Sequence, residues 1–278
     1  GTVKDSNGAV IAGADVKLTD TKTGAELTTK TNDQGVYEFQ KVAPGTGFTL
    51  TFTQAGFQTL VINDVALGVG TTSTHNAELT IGEVSGTVVV TASNEVTLNT
   101  TDASIGNVIG ERRLKELPIQ IRNSPAALIG LQPGVVGNNV GATGTNRIGS
   151  VTGARADQGN ITVDGIDAND QATGQFAATV GNAPIDAIQE FRAVSTNPGA
   201  SDGRSSGGQV ELVTKGGTND FHGNVREYNR TAATAANSFF NNRAGIARPA
   251  LTRNQFGGSI GGPIKKDALF FFFDYEGR

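Results

Sequence analysis

The chain has 278 residues, enough for more than one domain, because a single hydrophobic core seldom extends beyond roughly 250 residues. Its 38 glycines, its 6% aromatic residues and its lack of cysteine, methionine and tryptophan favour short strands and turns, and exclude disulfides and thiolate metal sites. The formal net charge is −4 with both signs scattered along the chain, so no basic stripe could neutralise phosphates and we expect no nucleic-acid partner.

Residues 1–82 alternate short apolar and polar runs with turns. Period-two runs occupy residues 14–18, 35–39, 48–52 and 57–61, and the segments between them are rich in Asp, Asn, Gly and Pro. Alternation of this kind places every second side chain on the same face of a strand. We therefore predict a β-sandwich whose strands include these four runs.

The same segment resembles the carboxypeptidase regulatory-like domain, a transthyretin-like or Ig-like β-sandwich. The resemblance rests on Gly-Thr-Val at 1–3 with Asn-Gly at 7–8, Gly-Ala-Asp-Val at 13–16, Gly-Val-Tyr-Glu-Phe at 35–39, Pro-Gly at 44–45 and Gly-Phe at 56–57. It implies a docking or sugar-binding module. The alternative is a spacer sandwich whose Tyr37 and Phe39 only fill the core, which we favour because isolated aromatics at period two are normally buried.

A linker over residues 83–97 contains a β-branched run without alternation, preceded by Gly86. A short exposed strand of this kind suits strand addition, in which backbone hydrogen bonds to a sheet edge supply the affinity whatever most side chains are. The run resembles the TonB box, the segment that TonB-dependent receptors offer to the periplasmic energy transducer TonB. The alternative is the last strand of the first domain. The candidate TonB-box residues are Thr87, Val88, Val89, Val90, Thr91 and Ala92.

Residues 98–216 mix strands with short helices, which predicts an α+β domain. Residues 112–117 favour one or two helical turns before a proline, and a second helix of about two turns begins at Pro125, where proline suits the first helical position. Residues 184–190 predict a short helix that leads into a strand at 191–194.

Three stretches of this domain resemble the plug of TonB-dependent receptors. Residues 161–166 form a strand that runs into an Asp-Gly turn, residues 185–194 follow, and residues 203–215 are a glycine-rich closing strand that ends in Thr-Lys. The Glu-Phe-Arg at 190–192 and the Gly-Gly-Thr-Asn-Asp-Phe-His-Gly at 216–223 are closest to the Oar-like branch, and a SusC-like receptor fits this closing segment less well. Glycines there allow close backbone approach. The motif residues are Asp164, Gly165, Glu190, Phe191, Arg204, Gly207, Gly208, Thr214 and Lys215.

Residues 217–278 are predicted to begin an outer-membrane β-barrel. Strands are expected at 220–230, 254–261 and 268–275, with one long polar loop and one short turn between them, as at the two ends of such barrels. This segment also resembles Oar-like receptors. The four consecutive phenylalanines would suit a buried strand of a soluble domain instead. Because receptors of this class use about 22 strands, we expect the chain to be incomplete.

Other chemistries have weak support. Ser259 lies in a Gly-x-Ser-x-Gly pattern, but no helix is predicted after it, and both His75 and His222 precede it, unlike the order in α/β-hydrolases. Two distant histidines and no cysteine argue against zinc. Four residues offer oxygen ligands for calcium but lack the spacing and the closing glutamate of an EF-hand loop: Asp164, Asp167, Asn169 and Asp170. We expect no enzyme activity, cofactor or metal.

Taken together, the sequence predicts a mainly β protein in four parts. These are a regulatory-like sandwich (1–82), a linker with a candidate TonB box (83–97), a plug (98–216) and the first strands of a truncated outer-membrane barrel (217–278). The resemblance implies energised ligand transport at the cell outer membrane, with TonB, membrane lipid and an unknown ligand as partners and the front parts in the periplasm. A secreted or cell-surface adhesion or carbohydrate-binding protein is the alternative.

Overall fold

The computed structural model describes residues 1–82, 86–91, 103–117, 122, 126–137, 148–155, 158–169, 184–199, 203 and 207–278. The described chain is mainly β and falls into two compact units, Gly1–Lys215 and Gly216–Arg278. No helix in these described ranges is long and apolar enough to span a bilayer.

The front of the first unit is a β-sandwich, as predicted. Its main sheet has the order β3-β2-β4-β5-β7, and a parallel pair, β1-β6, packs with it around one core. In β4 the side chains of Phe48, Leu50 and Phe52 are buried while their neighbours are not, because alternate residues face the core. The strands are β1 (Val3–Asp5), β2 (Asp15–Asp20), β3 (Glu26–Lys30), β4 (Gly45–Thr53), β5 (Thr59–Leu67), β6 (Ala77–Leu79) and β7 (Thr87–Thr91).

The predicted strand at residues 35–39 is wrong as a strand, although its aromatic residues do fill the core. Tyr37 is buried with its ring edge against Phe52, and Phe39 packs against the same cluster. Only Val36 bridges to a neighbour, Thr2. The side chain of Asn32 accepts hydrogen bonds from Gln34 N and Val36 N, and this local turn competes with a regular ladder.

The second part of this unit is a five-stranded sheet of order β12-β11-β14-β13-β8. β11 runs parallel to β14, and β13 is antiparallel to both β14 and β8. Its core includes Ile161, Phe191 and Leu212, all essentially inaccessible to solvent. The strands are β8 (Ile105–Gly110), β9 (Val135–Gly137), β10 (Ile148–Val151), β11 (Asn160–Val163), β12 (Ile166–Asp167), β13 (Ile188–Thr196) and β14 (Gln209–Thr214).

Two of the three predicted helices of this part are described as helices. α1 spans Glu111–Glu116, as expected, and α2 spans Ala126–Ile129 in the described residues, which begin at 126 there, so its predicted start at Pro125 lies outside them. The helix predicted at 184–190 is a 3-10 turn, Ile185–Ala187, and β13 begins at Ile188. Pairing with β14 begins there, and these tertiary contacts override the local helical preference.

The second unit is an antiparallel sheet of order β15-β16-β17 among its described strands. β15 spans His222–Thr231, β16 spans Thr252–Lys265 and β17 spans Leu269–Gly277, with a short helix α3 (Phe239–Arg243) in the long loop. The three predicted strands are confirmed, but β16 is longer than expected and includes Pro263. Pairing with β15 has ended at Gly261, so a residue without a backbone N–H can continue the strand.

Candidate functional site

The predicted TonB-box segment forms β7, the terminal strand of the front sheet. It pairs in parallel with β5 from Thr59↔Thr87 to Asn63↔Thr91, and Thr59 N donates to Gly86 O at 2.9 Å. The segment is therefore bound to the first domain, which the sequence left as the alternative interpretation. Ala92 lies outside the described residues, and the role of the segment as a TonB box stays a prediction.

β7 is held by its backbone rather than by its side chains. Val88, Val89 and Val90 are 39%, 60% and 47% exposed, whereas the large side chains of β4 are buried. In a parallel ladder, the N–H and C=O of one residue point to the same side. Gly86 bonds to β5, so the backbone N–H and C=O of Val88, two residues later, also face β5. The backbone N–H and C=O of Val89 face the opposite side of the strand, which we call the open edge.

The structure joins two of the plug-motif residues, Asp164 and Thr214. Asp164 Oδ1 accepts from Thr214 N at 2.9 Å, and Asp164 Oδ2 accepts from the Thr214 hydroxyl at 2.8 Å. Asp164 and Gly165 both have positive φ, 51° and 79°, as a tight Asp-Gly turn requires. The Asp-Gly turn thereby fixes the end of the closing strand β14.

The glycines of the closing segment lie where a side chain would collide. A Cβ on Gly207 would be 2.6 Å from Gln158 O, and one on Gly208 would be 2.6 Å from Val151 Cγ1. The predicted close approach of backbone to backbone occurs at Gly207, whereas Gly208 makes room for the side chain of Val151. Arg204 lies outside the described residues.

Lys215 belongs to a network of charges that the sequence analysis missed. Its Nζ donates to Asp186 O at 2.6 Å and lies 3.1 Å from Glu111 Oε1. The buried guanidinium of Arg122 donates to Leu114 O and to Asp186 Oδ1. Burial alone would raise the pKa of Glu111, but Lys115 and Lys215 lower it overall. No local pattern predicts these contacts, since Arg122 and Asp186 are 64 positions apart.

Glu190 and Phe191 are neighbours with different surroundings. Phe191 is fully buried in the plug core, whereas Glu190 Oε1 accepts a hydrogen bond from Val69 N of the front sandwich at 3.1 Å. Burial raises the pKa of Glu190, the bond from Val69 opposes the rise, and Glu211 adds to it. Glu190 is thus a point of contact between the front domain and the plug.

The three-stranded sheet of the second unit has two chemically different faces. Cross-strand register places exposed apolar side chains of all three strands on one face, which we call the apolar face: Val225, Phe256, Ile260, Phe273 and Tyr275. The opposite, polar face carries Asn224, Ser259 and a buried Arg226–Asp274 ion pair with two contacts of 2.7 Å. The four consecutive phenylalanines divide between the faces, and Phe273 is 60% exposed.

The residues considered for other chemistry have structural surroundings of their own. Ser259 lies within β16, between Asn224 and Asp274 on the neighbouring strands, and not at a strand-to-helix turn. Both oxygens of Asp164 accept from Thr214, and Asn169 Oδ1 accepts from Ile161 N. Asp170 lies outside the described residues. No group of three His, Asp or Glu able to hold a metal ion occurs in the described part of the chain.

Two family models match the two ends of the chain. The carboxypeptidase regulatory-like domain matches residues 1–80, and the outer membrane beta barrel domain matches residues 213–278. This combination supports an outer-membrane location. The predicted fold class is confirmed.

A comparison with one curated protein covers more of the chain than the family models do. The chain is 29% identical over 290 residues to the TonB-dependent transporter Oar of Myxococcus xanthus. The match covers 98% of this chain and 26% of that protein. The chain is thus similar to an Oar-like TonB-dependent transporter, as the motifs predicted, and spans about a quarter of that protein's length. This relative is a transporter, and the adhesion or carbohydrate-binding alternative is not favoured.

Solved structures of siderophore receptors also resemble the chain. PirA from Acinetobacter baumannii is 24% identical, with a TM-score of 0.44, over 62% of this chain and 24% of that one. The ferric enterobactin receptor PfeA from Pseudomonas aeruginosa, a Q482A mutant with enterobactin, is 18% identical, with a TM-score of 0.42, over 58% of this chain and 22% of that one.

Proposed function

We propose that the chain is the gating portion of an outer-membrane transporter that TonB energises. The plug sheet would close the pore, the strands β15–β17 would begin the barrel wall, and the whole protein would move a ligand across the outer membrane without catalysing a reaction on it. The observation that carries this proposal is the apolar face of β15–β17.

That face has the dimensions of a membrane band. The apolar side chains of this face run from Leu269, at the start of β17, to Phe256 of β16, which is the register partner of Gly277 at the end of β17. At about 3.4 Å per residue, the nine residues of β17 extend for about 30 Å, or roughly 23 Å at the usual strand tilt of about 40°. Outer-membrane barrels present an apolar band about 25 Å tall. Lipid would therefore contact this face, and the Arg226–Asp274 pair would face the barrel interior.

We assign the TonB contact to the open edge of β7. Residues Thr87–Thr91 would add a strand of TonB through backbone hydrogen bonds, while the exposed valine side chains add little specificity. Ala92 would continue the segment. The plug-motif residues would then hold the gate closed: Asp164 and Thr214 by their hydrogen bonds, Gly207 and Gly208 by close packing, and Lys215 by its charges.

A pair of substitutions at one residue tests the TonB contact. Val89→Pro removes an N–H from the open edge, whereas Val89→Thr retains it together with a high strand propensity. We expect Val89→Pro to weaken binding of the periplasmic domain of TonB to the full chain at least tenfold, and Val89→Thr to change it less than threefold. Binding can be measured by isothermal calorimetry. Equal affinity of the proline variant and the unsubstituted chain would refute the assignment.

A further inference from the structure

Strand β7 lies outside the matched front domain but is bound to it. The family match ends at residue 80, and β7 begins at Thr87 as a fifth strand on the sheet. Its five residues are all exposed, so it contributes no side chain to the core. The front domain therefore carries β7 by a ladder of backbone hydrogen bonds, with the open edge facing away from β5.

The strand that holds β7 also leads to the plug. β5 pairs with β7 over Thr59–Asn63 and continues to Leu67. Two residues later, Val69 N donates to Glu190 Oε1 at 3.1 Å. A second contact supports the first, because Gln189 Nε2 donates to Pro44 O at 3.4 Å. The segment that follows β5 thus connects β7 with Glu190, and Pro44, directly before β4, makes the neighbouring contact with Gln189.

The loop that reaches the plug is closely packed there. A Cβ on Gly70 would overlap Glu211 Oε2 and would lie 2.5 Å from Arg192 Nη1. Arg192 and Glu211 are themselves paired at 3.3 Å, on β13 and β14. Gly70 has a φ of 59°, which disfavours a side chain independently of the space available. The loop therefore lies against charged groups of the adjacent plug strands β13 and β14.

Glu190 lies on β13, between strands β14 and β8 of the plug sheet. It pairs with Val213 of β14 on one side and with Gly110 of β8 on the other, and it directly precedes the buried Phe191. A displacement at Glu190 would therefore act on three strands and on the core. The contact between Val69 and Glu190 is a single hydrogen bond, so one substitution can remove it.

We propose that the front domain acts as a carrier and relay: β7 stays on β5 while TonB binds its open edge, and the Val69–Glu190 contact passes that binding to plug strand β13. This inference rests on the proposed TonB contact and adds to it the route from the contact to the gate. The front sandwich then has a mechanical role in addition to its family fold.

A disulfide tests whether β7 remains docked during binding. Val61 and Val89 are register partners on adjacent strands, which lie about 4.8 Å apart, a spacing that a disulfide can span. The chain has no cysteine of its own, so Val61→Cys with Val89→Cys gives a single defined bond. We expect the oxidised full chain to bind the TonB periplasmic domain within twofold of the reduced chain. A tenfold loss on oxidation alone would overturn the carrier role, whereas absence of binding in both forms would overturn the TonB contact itself.

Two substitutions of Glu190 test the relay. Glu190→Ala removes the acceptor of the Val69 N–H, and Glu190→Gln keeps a carbonyl oxygen in its place. Hydrogen exchange of residues 188–196 is measured in the full chain with and without the TonB domain. We expect binding to change exchange at least threefold in the unsubstituted chain and in Glu190→Gln, but not in Glu190→Ala. An equal response in Glu190→Ala would overturn the relay while leaving the binding proposal intact.

Discussion

Strands β13 and β15 have nearly equal lengths but opposite side-chain environments. Six of the nine residues of β13 are buried, including Phe191, whereas β15 has none buried and exposes Val225 by 94%. The plug sheet supplies its own core, because helices, hairpins and neighbouring strands cover it. The β15–β17 sheet instead leaves apolar side chains uncovered on one face, and exposed apolar surface of this kind requires a further partner.

The largest expected effect is the loss of a plug core side chain. Phe191→Ala should destabilise the plug by about 3–5 kcal/mol, because it removes a fully buried ring from a packed cluster. The loss is measured by urea unfolding of the full chain, followed by hydrogen exchange in β13. Phe240→Ala is the matched control, since that ring is 75% exposed in the loop of the second unit, and we expect a change under about 0.5 kcal/mol. Equal effects would remove the distinction between the two regions.

The second prediction concerns the uncovered face. Val225→Arg should reduce the stability of the full-length protein in lipid vesicles by about 2–4 kcal/mol if Val225 lies near the membrane midplane. Asn224→Arg is the control, because Asn224 is the next residue on β15 and belongs to the polar face. Asn224→Arg should lower the free energy of unfolding far less in the same reversible unfolding assay in phosphatidylcholine vesicles. The same loss for both residues would contradict a lipid-facing role for the apolar face.

The third prediction concerns a hydrogen-bonded turn of the plug. Asp164→Ala should lower the free energy of unfolding by about 1–2 kcal/mol, because it removes two hydrogen bonds to Thr214 and places alanine at a φ of 51°. Asp164→Asn keeps one acceptor oxygen and tolerates positive φ, so its loss should be smaller. Urea unfolding of both variants provides the measurement. If asparagine were as disruptive as alanine, the charge rather than the turn would be the main contribution.

Local patterns predicted some features of the two regions better than others. The three strands of the second unit were predicted from sequence, as were the Asp164-Gly165 turn and the glycines at 207 and 208, because each depends on residue types and their neighbours. The start of β13 and the Lys215 network depend on partners far along the chain, such as Glu111 and Asp186, so no local pattern marks them. The pairing of β7 with β5 also depends on tertiary structure. It uses backbone hydrogen-bonding groups that every residue except proline has, so no particular residue type marks it.

The smallest predicted effect is a pH dependence at the boundary between the front domain and the plug. Burial raises the folded-state pKa of Glu190 above the ordinary carboxyl value, so the folded chain binds this proton more tightly than the unfolded chain does. Stability therefore falls as pH rises from the ordinary carboxyl pKa through the raised one. Glu190→Gln carries no such proton and retains an acceptor for Val69, so it should be slightly more stable than the unsubstituted chain at pH 7 and should lose that advantage near pH 4. Urea unfolding at the two pH values measures the difference, and a stabilisation that is the same at both would show that the carboxyl proton is not its cause.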